Sequence, residues 1–261
     1  MNYRISIIQM DIAFGSPDVN FQVARAKMNE AIGNDCDIIV LPELWTTGYD
    51  LTNLSTIADK DALKTISFLQ EVAIKNQIHV IGGSVANKTA NGIYNTLIVV
   101  DKTGKVVHTY DKLHLFQLMD EHLYLDSGKS EGIFTLDGNS FASMICYDIR
   151  FPEWIRTHTT KGAEAIFVVA EWPKPRLDHW RSLLIARAIE NQCYIIACNR
   201  VGKDPNNVFA GHSMIIDPWG DIVAEAGESE EILTASVDLG KVKEVRKMIP
   251  IFADRKPEFY K

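Results

Sequence analysis

Cysteine is scarce in this chain: only four of its 261 residues are cysteine, and no two of them form a C-x-x-C pair. None alternates with histidine at the spacing of zinc ligands, so a structural zinc site has no support in the sequence. A chain of this length builds its own hydrophobic core and does not need a disulfide framework. We therefore predict reduced thiols in a cytoplasmic protein, with no metal and no cofactor.

Long apolar runs and basic clusters are absent as well. The apolar run at 165–170 is far shorter than the roughly 20 residues of a membrane-spanning helix. The N-terminus lacks a basic region, and Asp11 interrupts its apolar run, which predicts a first strand and not a signal peptide. The net charge of -7 and the lack of a basic run argue against nucleic acid or a membrane as a partner. A small-molecule ligand is the default expectation.

Short runs rich in Ile and Val alternate with longer segments of helical periodicity, which is typical of an α/β fold. No low-complexity segment or flexible linker divides the chain, so we predict one domain over residues 1–261. The predicted strands are 5–9, 37–41, 78–82, 95–100, 106–110, one ending near Cys146, 165–170 and 194–199, with a hairpin over 213–225. The predicted helices are 19–32, 61–76, one beginning at Pro152 and 178–191, and 113–131 is predicted to be irregular.

Two predicted hairpin turns have similar sequences. Both 101–104 and 217–220 read D-x-x-G, and β-branched residues follow each of them. Asp suits the first position of a turn, and Gly tolerates a positive φ. The similarity has two explanations that the sequence leaves open: two independent turns of a common type, or a genuine internal repeat.

Cys146 is the first candidate for chemistry, because it lies between a predicted strand and the helix that begins at Pro152. In α/β proteins such turns carry reactive groups, and their backbone N–H groups are available to bind an oxyanion. The competing interpretation is an inert core cysteine, since free cysteine is among the most buried residue types.

Glu43 and Lys112 also follow predicted strands. Glu43, with Leu41, Leu44 and Trp45 around it, is suited to act as a general base beside a thiol, or else it caps a turn. Lys112, followed by an apolar segment, is suited to hold an oxyanion, or else its ammonium reaches solvent.

The combination of the three residues in this order resembles the nitrilase superfamily of carbon–nitrogen hydrolases, whose members use a Glu, Lys and Cys triad. The matching motifs are LPE at 41–43, DKLH at 111–114 and CYDIRFPE at 146–153. The similarity extends over essentially the whole chain and is greatest to the ω-amidase branch. The segments that carry it are PELWTTGY at 42–49, EWPKPR at 171–176 with His179 and Trp180, and ARAIENQ at 186–192.

This resemblance implies a single-domain α-β-β-α sandwich that assembles as a homodimer. It also implies a Cys146 nucleophile, a Glu43 base, and an oxyanion held by Lys112 and the Tyr147 N–H. Glu121 matches the family's second glutamate, which fixes the lysine and the substrate carbonyl; an exposed loop acid is the alternative.

The implied substrates are short dicarboxylic monoamides such as α-ketoglutaramate. Their remote carboxylate calls for a cation, and Arg176 is our candidate, with Tyr49 and Trp172 as walls of the pocket. Arg150 and Glu153 are expected to form a structural ion pair instead.

Three alternatives remain open at this stage. Another nitrilase-type amidase or an N-carbamoyl amidohydrolase would share the catalytic residues, and a true nitrilase is a further member of the same class. A non-catalytic interaction protein that keeps the fold is the alternative of a different class. The C-terminal segment 249–261 carries the apolar and aromatic residues Ile251, Phe252, Phe259 and Tyr260 among charged residues and prolines. We expect this segment to dock on the protein's own body or on a partner subunit.

Overall fold

Two β-sheets lie at the centre of the computed structural model, which describes residues 1–260. In chain order the strands are β1 (Asn2–Gln9), β2 (Ile38–Val40), β3 (Asp59–Lys60), β4 (His79–Thr89), β5 (Gly92–Val100), β6 (Val106–Asp111), β7 (Ile133–Leu136), β8 (Asn139–Ile145), β9 (Ala165–Ala170), β10 (Tyr194–Asn199), β11 (Met214–Ile216), β12 (Ile222–Glu225) and β13 (Glu231–Asp238).

Helices connect the parallel strands. In chain order the helices are α1 (Pro17–Ile32), α2 (Leu54–Ile57), α3 (Leu63–Asn76), α4 (Glu121–Tyr124), α5 (Pro152–Thr160), α6 (Leu177–Asn191), α7 (Gly240–Met248) and α8 (Ile251–Asp254). Proline opens α1 and α5, where its missing N–H has no helical partner to lose. Across residues 1–260, no helix combines the length and the apolar character that a membrane span requires.

The two sheets share one topology. The first has the order β13-β1-β2-β4-β5-β6, with β3 beside β4, and the second has the order β7-β8-β9-β10-β11-β12. In each sheet the second, third and fourth strands of this order are parallel, the first and fifth are antiparallel to them, and the sixth is antiparallel to the fifth. The chain therefore folds as two similar halves.

The D-x-x-G turns occupy equivalent places in these halves, one between β5 and β6 and the other between β11 and β12. In each turn the aspartate side chain accepts backbone N–H groups of the turn. Gly104 and Gly220 have φ of +85° and +90°, and a Cβ there would approach an isoleucine of the covering helix to 2.4 and 2.5 Å. The equivalence supports an internal repeat over two independent turns.

Alternation along β1 shows how the sequence produces the layers. Ile5 and Ile7 belong to the large core that lies between the sheets and includes Met144 of the second sheet. Ile8, and Met10 just beyond the end of β1, belong to a separate cluster with side chains of α1 and α3. Since neighbouring residues of a strand face opposite sides of the sheet, one strand serves both cores. The predicted α-β-β-α sandwich is confirmed.

The elements predicted from the sequence are all present, with shifted ends. The strand predicted at 78–82 continues to Thr89 as β4, and the segment 113–131 is largely irregular but contains α4. The sequence patterns did not predict β7, β13 or α7. Strand β13 pairs with β1 along its whole length, but many of its side chains are exposed, so it lacks the apolar run that marks the other strands.

Candidate active site

Cys146 lies at the sharp turn between β8 and α5, as its position in the sequence predicts. Its φ is +45°, a conformation that is strained for a residue with a Cβ, and it begins the 3₁₀ segment Cys146–Arg150. Only 5% of the side chain is exposed. Strained backbone at a buried cysteine is typical of a nucleophile that must be presented at one fixed angle.

Asp148 holds this turn in place. Its Oδ2 accepts the Ile145 N–H at 3.0 Å and the Tyr110 hydroxyl at 2.8 Å. Its Oδ1 lies 2.7 Å from His114 Nδ1. These contacts join the Cys146 turn, which belongs to the second sheet, to β6 of the first sheet and the segment that follows it.

The loop that carries Glu43 is fastened to β4. The Ser84 N–H donates to the Pro42 carbonyl at 3.1 Å, and the Leu44 N–H donates to the Ser84 hydroxyl at 3.0 Å. Gly83 has a φ of +63°, and a Cβ at this residue would come within 2.1 Å of the Pro42 carbonyl oxygen. Glycine is required here because the two backbones meet in direct contact.

Glu43, Lys112 and Glu121 form one fully buried cluster. Lys112 Nζ donates to Glu43 Oε1 at 2.8 Å and to Glu121 Oε1 at 2.6 Å. The Tyr49 hydroxyl donates to Glu121, and Asn95 Nδ2 donates to Glu43 Oε1 at 2.8 Å. The structure thus brings Glu43 together with Lys112 and Glu121, which lie more than 60 positions later in the sequence.

Electrostatics in this cluster keep the lysine charged. Burial disfavours the Lys112 ammonium, but the carboxylates of Glu121 and Glu43 outweigh burial and raise the pKa of Lys112 above its ordinary value. Burial raises the pKa of Glu121, and Lys112 opposes that rise. The pKa of the Tyr49 hydroxyl is also raised well above its usual value by burial and then by the two glutamates. Tyr49 is therefore a neutral donor.

The Cys146 thiol requires a base. Burial and then the Glu43 charge raise the pKa of the thiol well above its ordinary value, although Lys112 opposes them. Glu43 is thus close enough to the thiol for its charge to act on the pKa of Cys146. A thiol held in its protonated form next to a carboxylate becomes a nucleophile when the carboxylate takes its proton.

A narrow pocket opens onto Cys146. Its lining residues are Phe116, Met119, Cys146, Tyr147, Arg150, Glu171, Trp172, Pro173 and Arg176. The structure thus places Tyr147, Trp172 and Arg176 in the walls, in line with the sequence-based assignment. It places Tyr49 behind the walls, where its hydroxyl contacts the glutamates.

The predicted ion pair between Arg150 and Glu153 is wrong. The Arg150 guanidinium instead lies over the Trp172 ring, 4.9 Å from its centroid, and its Nη2 is 3.3 Å from His179 Nδ1. Glu153 is exposed at the start of α5. The 3₁₀ turn after Cys146 directs Arg150 toward the pocket, which sequence spacing alone did not indicate.

Several residues of the site were not anticipated from the sequence, chiefly Asn95, Asp148 and a second buried acid, Glu171. Glu171 Oε2 accepts from Arg200 Nη1 at 2.8 Å, and the Glu171 backbone N–H donates to Glu43 Oε2 at 2.8 Å. Glu171 directly follows the apolar run 165–170. An acid at the end of a predicted buried strand is the signal that singles out Glu43. Glu171 shows the same signal in the sequence.

The chain is similar to known proteins over nearly its whole length. The family model described as carbon–nitrogen hydrolase matches residues 4–247. The chain is 53% identical over 260 residues to the 2-oxoglutaramate amidase of Bacillus subtilis strain 168, with 100% of both chains covered. It is 34% identical over 255 residues to the omega-amidase YafV of Escherichia coli K12, with 96% of each covered.

A solved structure also resembles this chain in its fold. XC1258 from Xanthomonas campestris is a CN-hydrolase superfamily protein with an arsenic adduct in its active site. It superposes with a TM-score of 0.92 at 30% identity, over 98% of each chain. The family model and the full-length relatives together show that this chain belongs to the carbon–nitrogen hydrolase family.

Proposed function

We propose that this protein is an ω-amidase that releases ammonia from short dicarboxylic monoamides such as α-ketoglutaramate, through a thioester on Cys146. The observation that carries the proposal is the pocket itself, which joins a thiol to two guanidinium groups. The identity to a 2-oxoglutaramate amidase over the full length supports the same substrate class.

The first half-reaction forms the thioester. Cys146 Sγ bonds to the amide carbon while Glu43 takes the thiol proton, and the carbonyl electrons move to oxygen. Lys112 Nζ and the Tyr147 N–H hold this oxyanion, and losing one such donor typically costs about 10² to 10³ in kcat. The oxyanion then collapses, the C–N bond breaks, and the proton on Glu43 passes to the nitrogen that leaves as ammonia.

The second half-reaction returns the free enzyme. Glu43 takes a proton from water as the water oxygen attacks the thioester carbon, and Lys112 again faces the oxyanion. The C–S bond breaks, and Glu43 returns its proton to the sulfur. Glu121 contributes by fixing the Lys112 ammonium, because its Oε2 is itself held by the Phe116 N–H at 2.8 Å.

Two arginines are available for the substrate's carboxylate. Arg176 lies over the Phe116 ring, 5.4 Å from its centroid, and Arg150 lies over Trp172. Stacking on an aromatic face leaves the N–H edge of a guanidinium free to bind a carboxylate in two parallel hydrogen bonds. We assign the carboxylate to Arg176, with Arg150 as the second cation of the pocket.

A substrate panel tests this function. Ammonia release is measured from α-ketoglutaramate, glutamine, an N-carbamoyl amino acid and a simple nitrile, and α-ketoglutaramate is expected to have the highest kcat/KM. A higher value for the N-carbamoyl compound or the nitrile would assign the protein to one of those activities instead. No turnover of any compound would favour a non-catalytic role.

The nucleophile is tested on the same panel. Cys146→Ala is expected to abolish ammonia release and to leave the unfolding midpoint unchanged to within a few degrees. Cys36→Ala is the matched control, because Cys36 is also a buried free cysteine but lies in the helix-covered cluster of the first sheet. Undiminished release by Cys146→Ala would refute the thioester mechanism.

We also propose that the enzyme works in the cytoplasm as a homodimer of single-domain subunits spanning residues 1–261. The four cysteines, all buried and none in a disulfide among the described residues, support the location. Met248, Phe259 and Tyr260 are 69%, 78% and 57% exposed, and apolar side chains of this size on one segment are typical of an interface. Light scattering tests the dimer, and a Phe259→Ser, Tyr260→Ser variant is expected to shift the mass toward the monomer.

A further inference from the structure

One carboxyl oxygen of Glu171 has no hydrogen-bond partner within residues 1–260, and the residue lines the pocket beside Cys146. The side chain is fully buried. Its Oε2 accepts from Arg200 Nη1 at 2.8 Å, whereas its Oε1 has no hydrogen-bond partner among the described residues. Buried polar atoms in folded proteins are nearly always paired, so an unpaired one in a pocket wall needs an explanation.

Arg200 explains one oxygen of Glu171 but not the other. Its Nη2 is engaged by Asp11 at 2.7 Å and by the Ile12 carbonyl at 2.9 Å, and its Nε donates to the Val201 carbonyl at 3.0 Å. The guanidinium is therefore fixed and cannot turn toward Oε1. A structural role for the Glu171–Arg200 pair requires only Oε2.

The protonation of Glu171 decides what Oε1 offers to a ligand. Burial, together with the Glu43 charge and against the opposing effect of Arg200, raises the pKa of Glu171 to about 8. A pKa raised to about 8 favours the neutral carboxyl at pH 7. Because Oε2 accepts from Arg200, the proton resides on Oε1, which is a hydrogen-bond donor.

The groups that face Glu171 come from several elements. They are Glu43 and Tyr49 after β2, Cys146 and Arg150 of the turn after β8, Arg176 before α6, and Arg200 and Asp204 after β10. The pocket beside Glu171 therefore holds two cations, Arg150 and Arg176, and a neutral acid.

We propose that Glu171 is a specificity-determining residue whose Oε1–H donates a hydrogen bond to an acceptor oxygen at the acid end of the substrate, its 2-oxo or carboxylate oxygen. The inference rests on the proposed function. A neutral acid accommodates an anionic substrate, whereas an ionised Glu171 would repel it and offer no donor.

The first test compares substrates that differ at the acid end. The wild type, Glu171→Gln and Glu171→Met are assayed on α-ketoglutaramate, on glutaramate, which lacks the 2-oxo group, and on pentanamide, which lacks the carboxylate as well. Glutamine at 171 keeps a donor and an acceptor for Arg200, so its kcat/KM is expected to stay close to that of the wild type at pH 7. Methionine is expected to lower kcat/KM for α-ketoglutaramate by about 10- to 100-fold, mainly through KM, and to leave pentanamide nearly unchanged.

Glutaramate separates the two acceptors. If Glu171→Met lowers kcat/KM equally for α-ketoglutaramate and glutaramate, the hydrogen bond is assigned to the substrate carboxylate. If it lowers kcat/KM for α-ketoglutaramate alone, the bond is assigned to the 2-oxo oxygen. An equal loss on all three compounds would overturn the proposal and leave Glu171 a partner of Arg200 alone. A wild type that hydrolyses pentanamide but not α-ketoglutaramate would overturn the proposed function itself.

The pH profile provides a second readout that does not depend on Glu171→Met folding. The wild-type kcat/KM for α-ketoglutaramate is expected to fall as the pH rises through about 8, because Glu171 then ionises. Glu171→Gln is expected to lack this fall, and the ratio of the two enzymes cancels the substrate's own pH-dependent chemistry. A constant ratio from pH 6.5 to about 9.5 would overturn the proposal.

Discussion

The backbone N–H of Glu171 donates to the carboxylate of Glu43 across 2.8 Å, which joins the ends of two strands from different sheets. Glu43 follows β2 and Glu171 follows β9, and these strands are third from the corresponding edge of each sheet. The internal repeat therefore sets two acids face to face at the centre of the molecule. In the proposed mechanism they have diverged: Glu43 transfers protons, and Glu171 recognises the substrate.

Lys112→Met is expected to damage both stability and activity. Removing the ammonium leaves Glu43 and Glu121 as two buried carboxylates without their shared partner. Breaking a buried pair in this way typically costs about 3 to 5 kcal/mol, and losing an oxyanion donor costs about 10² to 10³ in kcat.

Urea unfolding and ammonia release measure these two effects of Lys112→Met. The exposed Lys174, which pairs with an exposed glutamate, is the control, and Lys174→Met should change neither quantity. Wild-type stability in Lys112→Met would show that the two carboxylates do not depend on the lysine.

Arg176→Gln is expected to raise KM for α-ketoglutaramate at least about 10-fold with a small change in kcat, because a bound carboxylate loses a charged, two-pronged partner. KM for pentanamide should stay unchanged. Arg25→Gln, at a surface ion pair with Glu71, is the matched control. If KM for α-ketoglutaramate does not change, the carboxylate binds elsewhere in the pocket, and the same assay on Arg150→Gln decides whether it binds there.

Asp148→Asn is expected to weaken the contacts that hold the Cys146 turn, although Asp148 has no assigned role in binding the substrate. The carboxylate accepts from Ile145, Tyr110 and His114, whereas an amide has one acceptor oxygen and turns its NH₂ toward donors. We expect a loss of about 2 to 4 kcal/mol in the free energy of unfolding and a lower kcat.

Thermal and denaturant unfolding test Asp148→Asn, with Asp254→Asn on the exposed part of α8 as the control. An Asp148→Asn enzyme with native stability and native kcat would contradict the role of this residue in joining the two sheets.

His108→Phe is expected to make the protein more resistant to acid. Burial, and then the nearby His158, lower the pKa of His108 to about 4, and its Nε2 has no hydrogen-bond partner among the described residues. The folded state keeps His108 neutral while the unfolded chain takes up a proton below about 6.5, so stability is lost as the pH falls from about 6.5 to about 4. The shift corresponds to about 3 kcal/mol at the acid end of this window.

Phenylalanine at 108 keeps the stacking on the Phe134 ring, whose centroid lies 5.4 Å away, and cannot be protonated. Urea unfolding at pH 7.5 and 4.5 should therefore show a smaller loss in His108→Phe than in the wild type. The exposed His122 provides the control variant His122→Phe. Equal losses in the wild type and His108→Phe would assign the acid sensitivity to other groups.

The sequence by itself determined the class of fold and the three central residues of the site. Alternating apolar strands and periodic helices are local properties, so they can be identified without tertiary contacts. Glu43, Lys112 and Cys146 were candidates because each follows a predicted strand, and the resemblance of their combined motifs to the nitrilase superfamily singled them out. Strand ends are where an α/β fold gathers its reactive groups.

The tertiary structure decided the rest, because the remaining contacts depend on how the two sheets register against each other. Asn95 lies in the middle of β5 and Asp148 within a turn, and neither position shows from sequence alone that it faces Glu43 or the Lys112 loop. Arg150 lines the pocket at the end of the 3₁₀ turn that begins at Cys146, and the sequence does not show this turn. Oε1 of Glu171 has no partner among the described residues because Arg200 binds only Oε2. The spacing of Glu171 and Arg200 along the chain does not predict this geometry.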